Sequence, residues 1–221
     1  ETGFLREVRA TAEMAVGLML TLMRHIPEAV GHVKQGDWSR DRFKGYELTG
    51  KHIGIVGHGR LGRLVVGYLR AFECDVVASD PNPVEPAEVP LVSLADLLAK
   101  SDIVSLHVNL NRATDGFFDA ACFRSMKRGA WFINTARGEL VDEYALLTSL
   151  RSGHIAGAAL DVLSHEDPSG MTGNPLINHA RDNANLIITP HIGGATYESM
   201  EKTEVFMANK LIGAKSELLS F

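Results

Sequence analysis

Cysteine is scarce. Of 221 residues only Cys74 and Cys122 are cysteines, far apart and outside any CxxC or Cys/His ligand spacing. That excludes a disulfide framework, offers no structural zinc site, and leaves no metal expected. A reducing, cytoplasmic setting is the default expectation. An excess of positive charge is missing too: 22 Lys and Arg stand against 27 Asp and Glu, a formal net charge of -5. No polybasic face is therefore available to draw in nucleic acid or anionic membrane. Long apolar runs are also absent. The most apolar stretch, Met14 to Met23, is too short to span a bilayer and is followed at once by Arg24, His25 and Pro27. The N-terminus shows no basic leader with a small-residue cleavage site. The chain opens on Glu1 rather than methionine and soon enters a helical pattern, which reads as a piece of a longer protein.

What is present is an ordinary globular composition, 45% hydrophobic and 22% charged, in a chain long enough for one domain with an appendage. Thr11 is expected to cap a helix running to about Ile26, with Glu13 in its first turn. Apolar residues surround that helix almost completely, so it is expected to pack on its own core on one side and on something else on the other. A second short helix is expected from Pro27 to Gln35, stopped by Gly36. These elements make up an N-terminal helical segment, residues 1–45.

From Lys51 onward, short β-rich runs alternate with helical stretches, the pattern of repeated βαβ units on a parallel sheet. The runs are His52 to Val56, Asp75 to Asp80, Asp102 to Val108, Ala130 to Ala136, Ala156 to Val162 and Asn185 to His191. Helices are expected over Leu61 to Phe72, Leu94 to Lys100, Asp119 to Met126 and Asp142 to Arg151, with a last one from Thr196 to near Leu219. The fold class is thus α/β, a doubly wound parallel sheet of the Rossmann type with N-terminal helices, its coenzyme domain spanning residues 46–221.

Directly after the first run comes Gly57-His58-Gly59-Arg60-Leu61-Gly62, a GxGxxG opening a helix. Such a string also occurs in glycine-rich turns with no ligand, so its placement carries the weight. Gly57 permits the tight turn, Gly59 lets the backbone approach a pyrophosphate, and Gly62 allows close helix-to-strand packing. Arg60 and Leu61 then lie on the phosphates. The second run ends in Asp80, near the offset at which an acid binds the adenosine ribose hydroxyls, and Pro81-Asn82-Pro83-Val84 supplies no arginine for a 2′-phosphate. NAD is favoured over NADP.

In such a sheet the ligand sits beyond the carboxyl ends of the strands. There the fourth run leads into Thr135-Ala136-Arg137, the fifth into Asp161 with Glu166 close behind, and the sixth into Thr189-Pro190-His191. Hydride removal from a 2-hydroxy acid needs a base for the hydroxyl proton, and histidine titrates in the right range: His191. Glu166, bonded to the imidazole, would orient it. Arg137 can fork onto the substrate carboxylate and polarise the developing carbonyl. Asp161 can accept from the nicotinamide carboxamide. Each residue also has a plain reading as a surface, turn or capping group; convergence of the three strand ends favours chemistry.

The segments VGHGRLG, INTARGELVDEYAL, GAALDVL and TPHIGGAT resemble those of D-isomer-specific 2-hydroxyacid dehydrogenases, over nearly the whole chain. The resemblance implies Arg137, Glu166 and His191 as the catalytic set. It implies cofactor contacts from the glycine loop with Arg60 and Leu61, and from Asp80, Val108, Thr135, Ala136, Arg137, Asp161, His191 and Gly193. Two departures stand out. Asp167 intervenes between Glu166 and Pro168 where the family has proline directly after the glutamate, which makes Asp167 the runner-up for that role, and Asn109 replaces a usual proline. The resemblance further implies a small 2-hydroxy or 2-keto acid substrate, a substrate domain largely absent from this chain, NAD binding with poor turnover by the chain alone, and a homodimer formed near the apolar helix around Met19. An NAD-responsive corepressor of the same family is the alternative. Short-chain dehydrogenases are disfavoured because none of Tyr46, Tyr68, Tyr144 or Tyr197 has lysine four residues on. Formate-oxidising relatives carry glutamine where Glu166 stands.

Overall fold

The computed structural model describes residues 8–83, 86–167 and 169–218. Six parallel strands form one sheet in the order β2-β1-β3-β4-β5-β6: β1 His52–Val56, β2 Asp75–Ser79, β3 Ile103–Leu106, β4 Trp131–Asn134, β5 Gly157–Leu160 and β6 Leu186–Ile188. The chain moves outward from β1 to β2, then returns to the other side of β1 for β3. This reversal opens a crevice at the carboxyl ends of β1 and β3, where the glycine-rich turn begins. Apart from β1, each strand is shorter than the run that predicts it, and the residues past the carboxyl ends leave the ladder to line that edge.

Helices cover both faces. On one lie α1 (Ala10–Met23) and α3 (Arg60–Ala71). Met19, Ile53, Ile55, Val65, Leu69, Ile103 and Ile133 form their shared core with the sheet. On the other lie α4 (Leu94–Lys100), α5 (Ala120–Ser125), α6 (Glu143–Arg151) and α7 (Pro175–Asp182). There Phe118, Phe123 and Phe132 pack with ring centroids 4.9 to 5.2 Å apart. Strands buried on both faces explain why their sequences read as continuous apolar runs.

The N-terminal helices differ from expectation in detail. Arg9, not Thr11, is the cap residue of α1 and makes no side-chain capping bond, so Thr11 sits inside the first turn. The helix stops at Met23 rather than continuing to Ile26, and His25 adopts a left-handed backbone, φ 52°, before α2 (Ile26–Lys34) begins. Pro27 is the cause: it has no N–H for the carbonyl of Met23 and its ring would clash with it. That carbonyl accepts from Tyr46 N instead, at 2.9 Å.

Helix α7 was not expected from periodicity. Its start is nonetheless encoded in Asn174-Pro175, where the Asn174 side chain accepts from Leu176 N and Ile177 N at 2.9 and 3.2 Å. The closing helix α8 spans Tyr197–Leu218, and the expected end at Leu219 lies outside the described residues, as do residues 1–7 and Pro168. Among the described residues no helix is long and apolar enough to cross a membrane.

Candidate active site

At the β1–α3 turn, Gly57 has φ 94°, and a Cβ there would lie 2.6 Å from the carbonyl oxygen of His107 and 3.0 Å from Val108 N. Val108 thus borders the turn from the end of β3. A Cβ on Gly62 would stand 2.1 Å from the carbonyl oxygen of Gly57, so only glycine lets α3 start this close to β1. Gly59, by contrast, faces open space, with nothing within 4 Å of an added Cβ. This arrangement fits the approach of an anion to the helix start, where Arg60 and Leu61 occupy the first turn. The Arg60 guanidinium donates to the carbonyl of Val8 at 2.7 Å, ahead of α1, and burial lowers its pKa.

Asp80 follows β2 directly. Its Oδ2 accepts from His58 N and its Oδ1 from Asn82 N, both at 2.8 Å, so the carboxylate is tied to the middle of the glycine-rich turn. Thr135, at the end of β4, offers a second fitting feature: its hydroxyl is buried with no hydrogen-bond partner among the described residues. An unpaired buried hydroxyl at this edge fits a polar ligand.

Beyond β4 the chain turns sharply through Ala136 and Arg137. Asn134, itself 1% exposed, holds that turn: Oδ1 accepts from Ala136 N at 2.9 Å, and Nδ2 donates to the Arg137 carbonyl at 2.9 Å. The Arg137 side chain is exposed, and its guanidinium donates to the Ala136 carbonyl at 2.6 Å. Gly138 presses against the next crossover, since a Cβ there would lie 1.9 Å from the Leu163 carbonyl carbon. Neither residue stood out in the sequence as functional, although both lie within the INTARG segment.

Beyond β5, Glu166 Oε1 accepts from Leu163 N at 3.1 Å, while Glu143 on α6 accepts from Ser164 N at 2.6 Å. The second Glu166 oxygen, Oε2, lies 2.6 Å from Nδ1 of His191. Asp167 is not part of this contact. Its Oδ1 accepts from the backbone N and hydroxyl of Ser169, at 2.8 and 2.7 Å, which holds its pKa below the ordinary aspartate value. With Oε2 of Glu166 as acceptor, Nδ1 of His191 carries the proton and Nε2 is left as the acceptor. The imidazole is 45% exposed, so this nitrogen is within reach of a ligand.

Asp161, 1% exposed, organises the backbone that presents His191. Its Oδ1 accepts from the Thr189 hydroxyl at 2.6 Å and from Ile192 N at 3.0 Å, and its Oδ2 accepts from Gly193 N at 2.7 Å. His191 itself sits at φ 55°, a left-handed conformation unusual for a side chain of this size. The tight turn also demands Gly193, because a Cβ there would be 2.7 Å from Asp161 Oδ2. His191, Glu166, Asp161 and Asp167 border one apolar cleft of about 800 Å³, walled by Leu163, Met171, Ile177 and Leu186. The glycine turn, Asp80 and Arg137 lie outside that cleft, along the same sheet edge.

A doubly wound sheet with a glycine turn at its switch point, an acid after β2 and a histidine–carboxylate pair at its edge is the architecture of a dinucleotide-binding oxidoreductase domain. Residues 16–193 match the family described as D-isomer specific 2-hydroxyacid dehydrogenase, NAD binding domain, and the chain belongs to that family. It is 39% identical over 207 residues to a D-3-phosphoglycerate dehydrogenase of Archaeoglobus fulgidus, matching 92% of this chain and 38% of that protein. A hydroxypyruvate reductase of Thermotoga maritima is 36% identical over 203 residues, matching 91% of this chain and 65% of the relative. Among solved structures, D-lactate dehydrogenase from Aquifex aeolicus complexed with NAD and lactic acid superposes with a TM-score of 0.86 at 29% identity, covering 96% of this chain and 68% of that one. The chain thus spans about two-fifths of the curated phosphoglycerate dehydrogenase it matches.

Proposed function

We propose that this chain is the coenzyme half of an NAD-dependent dehydrogenase that interconverts a D-2-hydroxy acid and its 2-keto acid, acting on the CH–OH group. The observation that carries this reading is the Glu166–His191 contact, 2.6 Å long, on the same sheet edge as the glycine turn and Asp80. When bound, NAD supplies the acceptor for the hydride that leaves C2 of the hydroxy acid. His191 Nε2 takes the hydroxyl proton as the carbonyl forms, and Glu166 balances the resulting imidazolium through Nδ1–H. In the reverse direction the same imidazolium returns the proton to the oxygen. Arg137, exposed at the end of β4, pairs with the substrate carboxylate and stabilises charge on the oxygen.

The cofactor would be held by Gly57, Gly59, Arg60, Leu61 and Gly62 at its phosphates, by Asp80 at the adenosine ribose, and by Val108, Thr135, Ala136, Arg137, Asp161, His191 and Gly193 toward the nicotinamide. Asp161 Oδ2 carries one bond from Gly193 N and keeps a lone pair for a carboxamide donor. The test is a panel of 2-keto acids with NADH on the full-length protein. His191→Ala and Arg137→Ala are each expected to cut kcat/KM by roughly 100-fold or more. Wild-type kcat/KM in both variants on the best substrate would refute the assignment. The chain alone is expected to bind NAD and turn over slowly, since the relatives extend well beyond the matched region. Full activity from it would overturn that expectation.

We also propose a homodimer, in which α1 belongs to the coenzyme core and residues 26–38 make the contact. Met19, around which this interface was expected, is 0% exposed within its own chain, so it is not the contact. Ile26, Val30 and Val33 on α2, with Trp38 at 89% exposure, supply the uncovered apolar surface. Sedimentation should show a dimer that Val30→Glu/Val33→Glu converts to monomer; a wild-type monomer at micromolar concentration refutes it.

A further inference from the structure

The side chain that fixes the Arg137 turn belongs to the last residue of a core strand. Asn134 ends β4, pairs in register with Leu106 of β3 and Leu160 of β5, and is 1% exposed. Its amide bridges two peptide groups of the turn: Oδ1 accepts from Ala136 N and Nδ2 donates to the Arg137 carbonyl, both at 2.9 Å. A peptide N–H can only donate and a carbonyl can only accept, so the amide fits one way round, and neither of its isosteres, aspartate and leucine, supplies both bonds. The backbone carbonyl of the same residue accepts from Asp161 N at 2.9 Å. Asp161 in turn binds Thr189, Ile192 and Gly193 around His191. Asn134 therefore stands between the segment that carries Arg137 and the one that carries His191.

We infer that Asn134 is a positioning residue for the reaction: its buried amide fixes where the Arg137 guanidinium meets the substrate carboxylate. The inference rests on the reading of Arg137 as the carboxylate-binding group. Arg137 has ordinary extended backbone, φ -149° and ψ 143°, so no strain holds it in place. Its side chain is exposed, and its guanidinium bonds to the Ala136 carbonyl, within its own turn. The two peptide groups that Asn134 binds enclose Ala136 and Arg137, and so set the direction in which the arginine leaves the sheet edge. On the far side Gly138, pressed against Leu163, closes the turn. A forked pair with a carboxylate tolerates little misplacement, and a shift of about 1 Å costs on the order of 100-fold in rate. Asn134 needs no contact with the acid or the cofactor to exert this effect; it acts through Arg137.

The experiment is steady-state kinetics of the full-length protein with NADH and whichever of pyruvate, hydroxypyruvate and glyoxylate turns over fastest. The variants are Asn134→Asp, Asn134→Ala, Arg137→Ala and Asn134→Asp/Arg137→Ala, each with its melting temperature recorded. Asn134→Asp keeps the volume and the acceptor for Ala136 N but turns an oxygen toward the Arg137 carbonyl, and it carries the test if the alanine variant does not fold. It is expected to lower kcat/KM about tenfold or more, with KM for the keto acid rising while KM for NADH stays within about twofold. In the Arg137→Ala background the same substitution should change kcat/KM less than about twofold, because the group it positions is gone. The inference fails if Asn134→Asp keeps wild-type kcat/KM, if its cost is the same with and without Arg137, if both KM values rise together as a merely structural defect would make them, or if neither Asn134 variant folds. Failure of the underlying reading looks different: wild type turns over none of the three acids, or Arg137→Ala itself retains wild-type kcat/KM.

Discussion

Replacing Asp161 by alanine removes the acceptor for three donors at once: the Thr189 hydroxyl, Ile192 N and Gly193 N. Bonds to a carboxylate are worth about 1.5–3 kcal/mol each, and a stranded buried donor costs about 1–3 kcal/mol. Full summation overstates the loss, because the Thr189 hydroxyl and Ile192 N lie where solvent partly reaches and can rebond to water. Gly193 N is buried and cannot. The expected destabilisation is therefore about 3–5 kcal/mol, at the upper end for a single substitution. For a domain of this size that lowers the melting temperature by roughly 10 °C. Asp161→Asn keeps the shape and one acceptor oxygen but turns an amide N–H toward a donor, so it should recover only about half of the loss. Urea unfolding followed by circular dichroism reads the difference, and unchanged m-values would show that the native state alone is affected. A melting temperature of the alanine variant within 2 °C of wild type would refute the claim that this carboxylate holds the His191 turn.

Gly138→Ala places a methyl group 1.9 Å from the Leu163 carbonyl carbon, against backbone rather than a yielding side chain, and should cost more than about 3 kcal/mol in the same assay. His107 carries a pH-dependent contribution, since burial pushes its pKa down from 6.5 to about 4. Because the unfolded chain takes up the proton first, its contribution is full above pH 6.5 and is lost as pH falls from there to about 4, with a slope of at most about 1.4 kcal/mol per pH unit. His107→Gln should flatten that part of a stability–pH profile, and an unchanged slope contradicts it. Glu166→Ala should lower kcat/KM of the full-length enzyme roughly 100-fold while Asp167→Ala leaves it within about threefold. The opposite ranking would transfer the orienting role to Asp167.

How legible this protein is from its residues varies with the range of the interactions concerned. Strand β1 and helix α4 were readable to the residue, since each is bounded by strong local signals: Gly57 after Val56, and a Ser93 cap whose hydroxyl accepts from Asp96 N at 3.1 Å. The ends of the other strands were not, because periodicity does not register where a chain leaves its ladder. Asp80, Val108 and Thr135 all lie in apolar runs yet one or two residues past the last paired position. Helix α7 escaped notice because its apolar face is short, although its Asn-Pro start was in plain view.

Local chemistry written in order along the chain was decided by the sequence itself: the glycine turn at the start of a helix, the acid after the second strand, and Arg137, Asp161 and His191 at three successive strand ends. Those follow from residue type and spacing, which act over one turn or one strand. Which of two adjacent acids meets the imidazole was decided only by tertiary structure. Glu166 and Asp167 differ by one position, and it is the anchoring of Leu163 N to Glu166, of Ser164 N to Glu143, and of Gly138 against Leu163 that aims the first at His191 and leaves the second to cap its own turn. The same holds for Asp161, whose reach of some thirty residues to Thr189, Ile192 and Gly193 exists only because β5 and β6 lie side by side.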